Sequence, residues 1–163
     1  MLAQETLSFK EWISVLKLAT MWQMDRLHQI AFQKITGVVA TKAAWIDVLD
    51  VSVLHGLSDV QQLAIQRLSS DSTFREMEKV LLARKYKVES WLKGGCRELV
   101  TRKQYFSDEE DVLLGLKTVS KLYRLREEYR EYKHSRRYLD SMDDPIEREF
   151  GVELMEMKPS TEM

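Results

Sequence analysis

The chain has 163 residues, 44% of them apolar, which is enough for one hydrophobic core with little chain left over. Its 25 Lys and Arg against 26 Asp and Glu leave a net charge of −1, so no global field gathers nucleic acid or anionic lipid, and such binding would need a local patch. The single cysteine, Cys96, excludes an internal disulfide and a Cys-rich zinc site and fits a reducing compartment, cytosol or nucleus.

Two Pro and six Gly in a chain rich in Leu, Lys, Glu, Arg and Ala favour long helices over closely spaced hairpin turns, and the expected class is all-α. No charge-free run is longer than Val51 to Ser58, far short of the roughly 20 apolar residues of a membrane span. The opening MLAQETLSFKEW has neither the basic start nor the apolar stretch of a signal peptide, so nothing in it directs export.

In chain order, the first elements are two copies of one unit. A shift of 33 residues aligns EWISVLKLATMWQMDRLHQIAFQKI with AWIDVLDVSVLHGLSDVQQLAIQRL, pairing Trp12 with Trp45, Ile13 with Ile46, Val15 with Val48, Leu16 with Leu49, Leu27 with Val60, Ala31 with Ala64 and Ile35 with Leu68. Each copy reads as helix, short turn, helix, because apolar residues recur at steps of three and four on both sides of a break. In the first copy the inward stripes are Phe9, Trp12, Ile13, Leu16 and Ala19, then Leu27, Ile30, Ala31 and Ile35, with the break at Trp22 to Asp25. In the second the break is HGLSD, where Gly56 supplies the left-handed residue that ends a helix and Ser58 is placed to cap the next. So short a turn makes the neighbours antiparallel.

Ser or Thr followed three residues later by Glu marks a helix start, because the pair satisfies two backbone donors that the first turn leaves orphaned. Ser8 with Glu11, Thr73 with Glu76 and Ser107 with Glu110 fit this pattern. FREMEKVLLARKY then reads as a fifth helix with Met77, Val80, Leu81 and Tyr86 inward, and VESWLKGGCRELVTRK as a sixth. Gly94 and Gly95 each cost about 1 kcal/mol relative to Ala inside a helix, so a kink or break is expected there. The longest helix is expected from about Asp108 to the Tyr138 region, with Val112, Leu116, Val119 and Tyr123 on one face and Leu122, Leu125, Tyr129 and Tyr132 continuing a neighbouring stripe, a drift that suggests a changing partner. From Asp140 eight acidic residues oppose only Arg148 and Lys158, and Pro145 and Pro159 interrupt; this reads as a flexible acidic tail, with Ile146, Phe150, Val152 and Leu154 as the alternative of a short docking segment.

The strings WISVLKLATMW and LHQIAFQKI resemble the last helical hairpin of a BTB/POZ domain in its fungal form. LLARKYKVESWL, then SDEEDVLLGLKTV and a long charged helix with LREE, resemble the region that follows that hairpin. The likeness runs over about residues 7 to 128, lacks the strands and first helices of the BTB dimerisation sheet, and carries an extra hairpin copy. It implies a protein-binding adaptor or scaffold without catalytic chemistry, and it does not imply dimerisation through the missing surface.

Residue chemistry points the same way. A hydrolase or transferase needs a nucleophile with a positioned base, and His28, His55 and His134 stand in no catalytic signature. Cys96 beside Arg97 reads as a packed thiol, and the cluster Asp108, Glu109, Glu110 and Asp111 as acids favoured at a helix start. No metal-ligand spacing, calcium pattern or phosphate loop occurs, so no cofactor and no metal are expected. KLYRLREEYREYKHSRRY, residues 121–138, interleaves seven cations and four tyrosines, the composition of a nucleic-acid surface, but Glu127, Glu128 and Glu131 stand at ion-pairing spacing; contact with the opposite-signed tail is a third option.

These observations predict stacked antiparallel helical hairpins, about seven helices with a long C-terminal one. The expected organisation is a helical domain over 1–139, with hairpins at 8–36 and 41–69 and a post-BTB-like region at 72–139, followed by the tail at 140–163. Its function is read as protein–protein interaction, with nucleic acid through residues 121–138 as the alternative and no membrane partner. The candidate partner-binding residues are Trp22 and Met24 at the first turn, since aromatics and methionine are enriched at interface centres, with Arg130, Arg136 and Arg137 on the basic helix.

Overall fold

The structure, a computed structural model, describes residues 7–132 and 142–158. Its described residues form an all-α fold of nine helices: α1 (Phe9–Met21), α2 (Asp25–Val38), α3 (Lys42–His55), α4 (Ser58–Ser69), α5 (Glu76–Tyr86), α6 (Glu89–Thr101), α7 (Asp108–Leu114), α8 (Leu116–Tyr132) and α9 (Asp143–Met157). They divide into two compact units, Met1–Thr73 and Phe74–Met163, where the sequence suggested one helical domain and a tail.

The first unit is the duplicated hairpin. Leu16, Ala19, Ala31 and Ile35 are buried in the first copy, and Val48, Leu49, Ser52, Val60, Ala64 and Leu68 in the second. The repeat extends to its turns. Gln23 and Gly56, which correspond at the 33-residue shift, both have positive φ, 53° and 64°. Behind them the N–H groups of Met24 and Leu57 donate to the carbonyls of Ala19 and Ser52, each at 2.8 Å. The left-handed residue reverses the chain so that this amide reaches a carbonyl the helix end would otherwise leave open. That closure uses Gly56 and Leu57 as the whole link, so Ser58 is already the first residue of α4 and does not cap it.

Ser8 caps α1 as expected, its hydroxyl accepting from the Glu11 N–H while Glu11 Oε2 accepts from the Ser8 N–H at 2.7 Å. Thr41 caps α3 by accepting from the Ala44 N–H. Thr73, expected to cap the fifth helix, instead donates both its N–H and its hydroxyl to Asp71 Oδ1, at 2.8 and 2.7 Å. The carboxylate two residues back closes a local turn first, and α5 starts at Glu76, behind Arg75, whose N–H donates to Glu78 Oε2.

The second unit is built around α6, which buries Trp91, Leu92, Gly95, Cys96, Leu99 and Val100 and packs on α5, α8 and α9. The expected break at the glycine pair is absent: α6 runs unbroken through Gly94 and Gly95. A Cβ at Gly95 would lie 2.8 Å from both the Glu76 carbonyl oxygen and Val80 Cγ2. The glycine therefore serves close approach of α5 to α6, and the packing gained outweighs its low helix propensity. The expected single helix from Asp108 is interrupted at Gly115 (φ 80°, ψ 147°), which ends α7 under its Ser107–Glu110 capping box. The break changes the phase of the stripe. Leu114, Val119, Leu122 and Leu125 are buried, while Val112 and Leu116, expected inward, are exposed.

The segment expected as a flexible tail forms α9 from Asp143 to Met157, burying Ile146, Phe150, Leu154 and Met157. These residues recur at steps of four, four and three, one helix face, and each fully buried large side chain contributes about 1.5–3 kcal/mol. Pro145 stands in the first turn, where its missing N–H has no intrahelical partner to lose. Val152 faces solvent, so three of the four anchors of the docking alternative are the ones used. Its acidic residues meet the cations of the unit: Glu147 pairs with Lys93 at 2.5 Å, Glu153 with Arg84 at 2.6 Å, Glu149 with Arg124 at 3.2 Å, and Asp143 with Arg97.

Candidate functional site

In the first unit the turn between α1 and α2 leaves a cluster of large apolar side chains in solvent. Trp22 is 67% exposed and Met24 45%, with Leu18, Met21 and Ile30 also exposed. Leu18, Met21 and Trp22 stand at i, i+3 and i+4, so they share the outer face of α1; Met24, Leu27 and Ile30, three apart, share one face of α2. Between Met24, Asp25, Arg26, Leu27 and Ile30 lies an open groove of about 460 Å³. Ile30 was expected inward with Ala31 and Ile35. The steps of four take the buried line, with Leu27 half-buried and Ala31 and Ile35 sealed, and Ile30, one step of three from Leu27, is exposed beside the groove.

The equivalent turn of the second copy exposes only Val53 and Leu54 of its large apolar residues, Leu54 being the counterpart of Met21. Leu57, the counterpart of Met24, is only 2% exposed, and His55 stands half-buried where Trp22 is open. Trp45 is buried under the Arg67 guanidinium, whose carbon is 5.9 Å from its ring centre, while Trp12 is half-buried. The exposed Trp22 and Met24 are thus a property of the first hairpin.

On α8 the cations that suggested nucleic acid are largely engaged. Arg130 pairs with Glu127 at 2.8 Å and lies 5.9 Å from the Tyr105 ring centre; Lys121 donates to the Glu149 carbonyl; Arg124 pairs with Glu149; and Glu128 takes Arg148 at 2.5 Å. The contact weighed between basic helix and acidic tail is therefore made through Lys121, Arg124 and Glu128. An open groove of about 750 Å³ along this helix is lined by Leu116, Val119 and Tyr123 with Glu127, Glu128 and Glu131, a mixed surface without an excess of cations. Arg136 and Arg137 lie outside the described residues, as does His134.

The groups weighed for chemistry are placed in structural roles. Cys96 is fully buried, and desolvation pushes its thiol up to about 12, so the nucleophilic thiolate is scarce at neutral pH. His28 Nε2 lies 3.5 Å from Asp59 Oδ2, joining α2 to α4. Glu110 of the acidic cluster is held below its ordinary value, first by hydrogen bonding to Arg102, whose guanidinium reaches its two oxygens at 2.8 and 2.5 Å. Among the described residues no group of three or more His, Cys, Asp or Glu is placed to hold a metal ion, and no helix is long and apolar enough to cross a membrane.

One buried group had no signal in the sequence. Arg126, read as one cation of a solvated stripe, is 2% exposed, with its Nη2 donating to the Leu99 carbonyl at 2.6 Å. Only its four-residue spacing from Leu122, and its place next to Leu125, put it at the edge of the apolar face. No family model, curated protein or solved structure matches the chain.

Proposed function

We propose that this chain is a non-catalytic protein–protein interaction module, a BTB-like adaptor or scaffold of the cytosol or nucleus, that takes an amphipathic helix of its partner at the first hairpin turn. The observation that carries the reading is the open cluster of Leu18, Met21, Trp22, Met24 and Ile30 at a turn whose repeat counterpart buries Leu57 and exposes only Val53 and Leu54 of its large apolar residues. Two features favour a helix as the occupant. The apolar side of the groove is formed by Met24, Leu27 and Ile30 on one face of α2, the arrangement into which apolar anchors at i, i+3, i+4 and i+7 fit, and Asp25 and Arg26 add one acid and one base to its lining, which suits a mixed polar rim. Trp and Met supply large, adaptable contact area, and truncating a central aromatic anchor at such interfaces commonly costs 2 kcal/mol or more of binding, about thirtyfold in affinity.

The test is quantitative capture of bound proteins on the wild-type chain, on Trp22→Ser with Met24→Ser, and on Leu54→Ser, an exposed apolar position of the second hairpin. A partner lost by the first variant and kept by the second supports the reading. Its interface should then map to α1 and α2 by cross-linking. A set of bound proteins indifferent to Trp22 and Met24, or association of the chain only with itself in sedimentation, overturns it.

A further inference from the structure

In the second unit, α6 and α8 enclose a small cleft of about 180 Å³ lined by Val100, Thr101, Arg102, Lys103, Arg126, Tyr129 and Arg130. Four of the seven lining residues are cations and none is a carboxylate. The deepest is Arg126, almost wholly removed from solvent. Its Nη2 is satisfied by Leu99, but among the described residues its Nε and Nη1 have no hydrogen-bond partner, and neither does the buried Nε of Arg102. Aromatic faces hold the guanidinium in place: its carbon lies 4.7 Å from the Phe106 ring centre and 6.0 Å from that of Tyr123, while Arg102 approaches the same Phe106 at 5.0 Å.

The neighbouring acids are already committed to other cations. Glu76 and Glu110 bind Arg102, and Glu127 binds Arg130. They lower the local potential but give Arg126 no acceptor, and buried donors left without one are costly, about 1–3 kcal/mol each. A buried charge without a partner is rarer still, because its desolvation is uncompensated. Arginine forks match the paired oxygens of an oxyanion, and a phosphoryl group offers three of them.

We propose that this cleft is a binding site for a single phosphate group, with Arg126 at its floor, Arg102 Nε beside it and Lys103 and Arg130 at its mouth. The size sets the class of ligand. The cleft is smaller than the roughly 300–1,000 Å³ of sites that enclose whole small molecules, so one phosphoryl group enters and whatever carries it stays outside. A nucleic-acid strand is disfavoured, since it needs a track of cations and those along α8 face glutamates.

The test is titration of the full chain with inorganic phosphate and, in parallel, with O-phosphoserine and a single-stranded oligonucleotide, with chloride matching ionic strength. Binding is read from the Arg126 side-chain Nε–H resonance and from the shift in melting temperature. Saturable phosphate binding that shifts this resonance, with matched chloride inert, is expected. Equal binding of phosphoserine would place the carrier outside the cleft, and binding of phosphate alone would assign the site to the free ion. Arg126→Met, which keeps an unbranched apolar stem against Phe106, is expected to weaken binding at least tenfold, and Lys103→Gln a few-fold without affecting folding. Absence of a chloride-independent shift, binding confined to the oligonucleotide, or affinities unchanged in both variants would overturn the proposal.

Discussion

The two hairpins of the first unit share a frame and differ in what they leave open. They share the centre of their core: Leu16 with Leu49, Ala31 with Ala64, Ile35 with Leu68. They turn alike too, each with one left-handed residue and one amide returning to a carbonyl five residues earlier. They part at the turn's side chains, where the first presents Trp22 and Met24 to solvent and the second buries Leu57. A repeat can keep its buried positions while the side chains at its turn diverge in what they leave to solvent.

The largest expected effect tests this difference directly. Leu57→Ala should destabilise the chain by about 2–5 kcal/mol, the range for emptying a buried leucine site, whereas Met24→Ala should cost well under half as much, because its side chain is already partly hydrated. Urea denaturation followed by circular dichroism reads both; equal losses would dissolve the contrast. Next in size is an exchange at the turns. Gly56→Gln should cost about 1 kcal/mol, since a Cβ is disfavoured at positive φ, and Gln23→Gly should recover a comparable amount, less the entropy that glycine adds to the unfolded chain. If Gln23→Gly destabilised, the left-handed Gln23 would not be the strained counterpart of Gly56.

A smaller effect is expected from Trp22→Ser, about 0.5 kcal/mol or less in stability, since an exposed residue gives up little on replacement. That near-silence in denaturation, set against a large loss in partner capture, is what separates a recognition residue from a core residue. The smallest effect concerns acid. Glu11 is held below its ordinary value, first by the Ser8 backbone hydrogen bond, then by the Ser8 hydroxyl, while the cap of α3 has Ala44 in the corresponding place. A carboxyl whose folded pKa is depressed stabilises above its unfolded pKa, and that contribution disappears as the pH falls through the folded value. Amide exchange at the start of α1 should therefore accelerate below the usual carboxylate range while that at the start of α3 does not. Parallel acceleration at both ends would show that the capping box is not the cause.

How far the sequence carried this reading depends on the range of the interaction concerned. Capping boxes at Ser8 and Ser107, the glycine turn at Gly56 and the 33-residue repeat are written within a few residues or within a repeat, and they were legible. Trp22 and Met24 were singled out because they flank a turn, and both are exposed. Long-range partners were not legible. Gly95 looked like a helix breaker because the neighbouring helix that needs its missing side chain lies about 15–19 residues earlier, at Glu76 and Val80. The segment after Asp140 looked mobile because its charge is local information, whereas the arginines and lysines that neutralise it are spread over α5, α6 and α8. Arg126 reads as solvated because Glu127, Glu128 and Glu131 stand near it at ion-pairing spacing, whereas Glu127 and Glu128 bind Arg130 and Arg148.

By itself, then, the sequence determined that this chain is helical, where most helices start and stop, and that its first two hairpins are copies of one unit. These follow from backbone propensity, capping chemistry and apolar periodicity, all of which act over one or two helical turns. Only the tertiary structure decided which apolar residues stay outside, that the acidic segment becomes a docked helix, and that Arg126 is enclosed with no carboxylate partner among the described residues. Those outcomes depend on surfaces brought together across tens of residues, where burial and charge neutralisation outweigh any local preference.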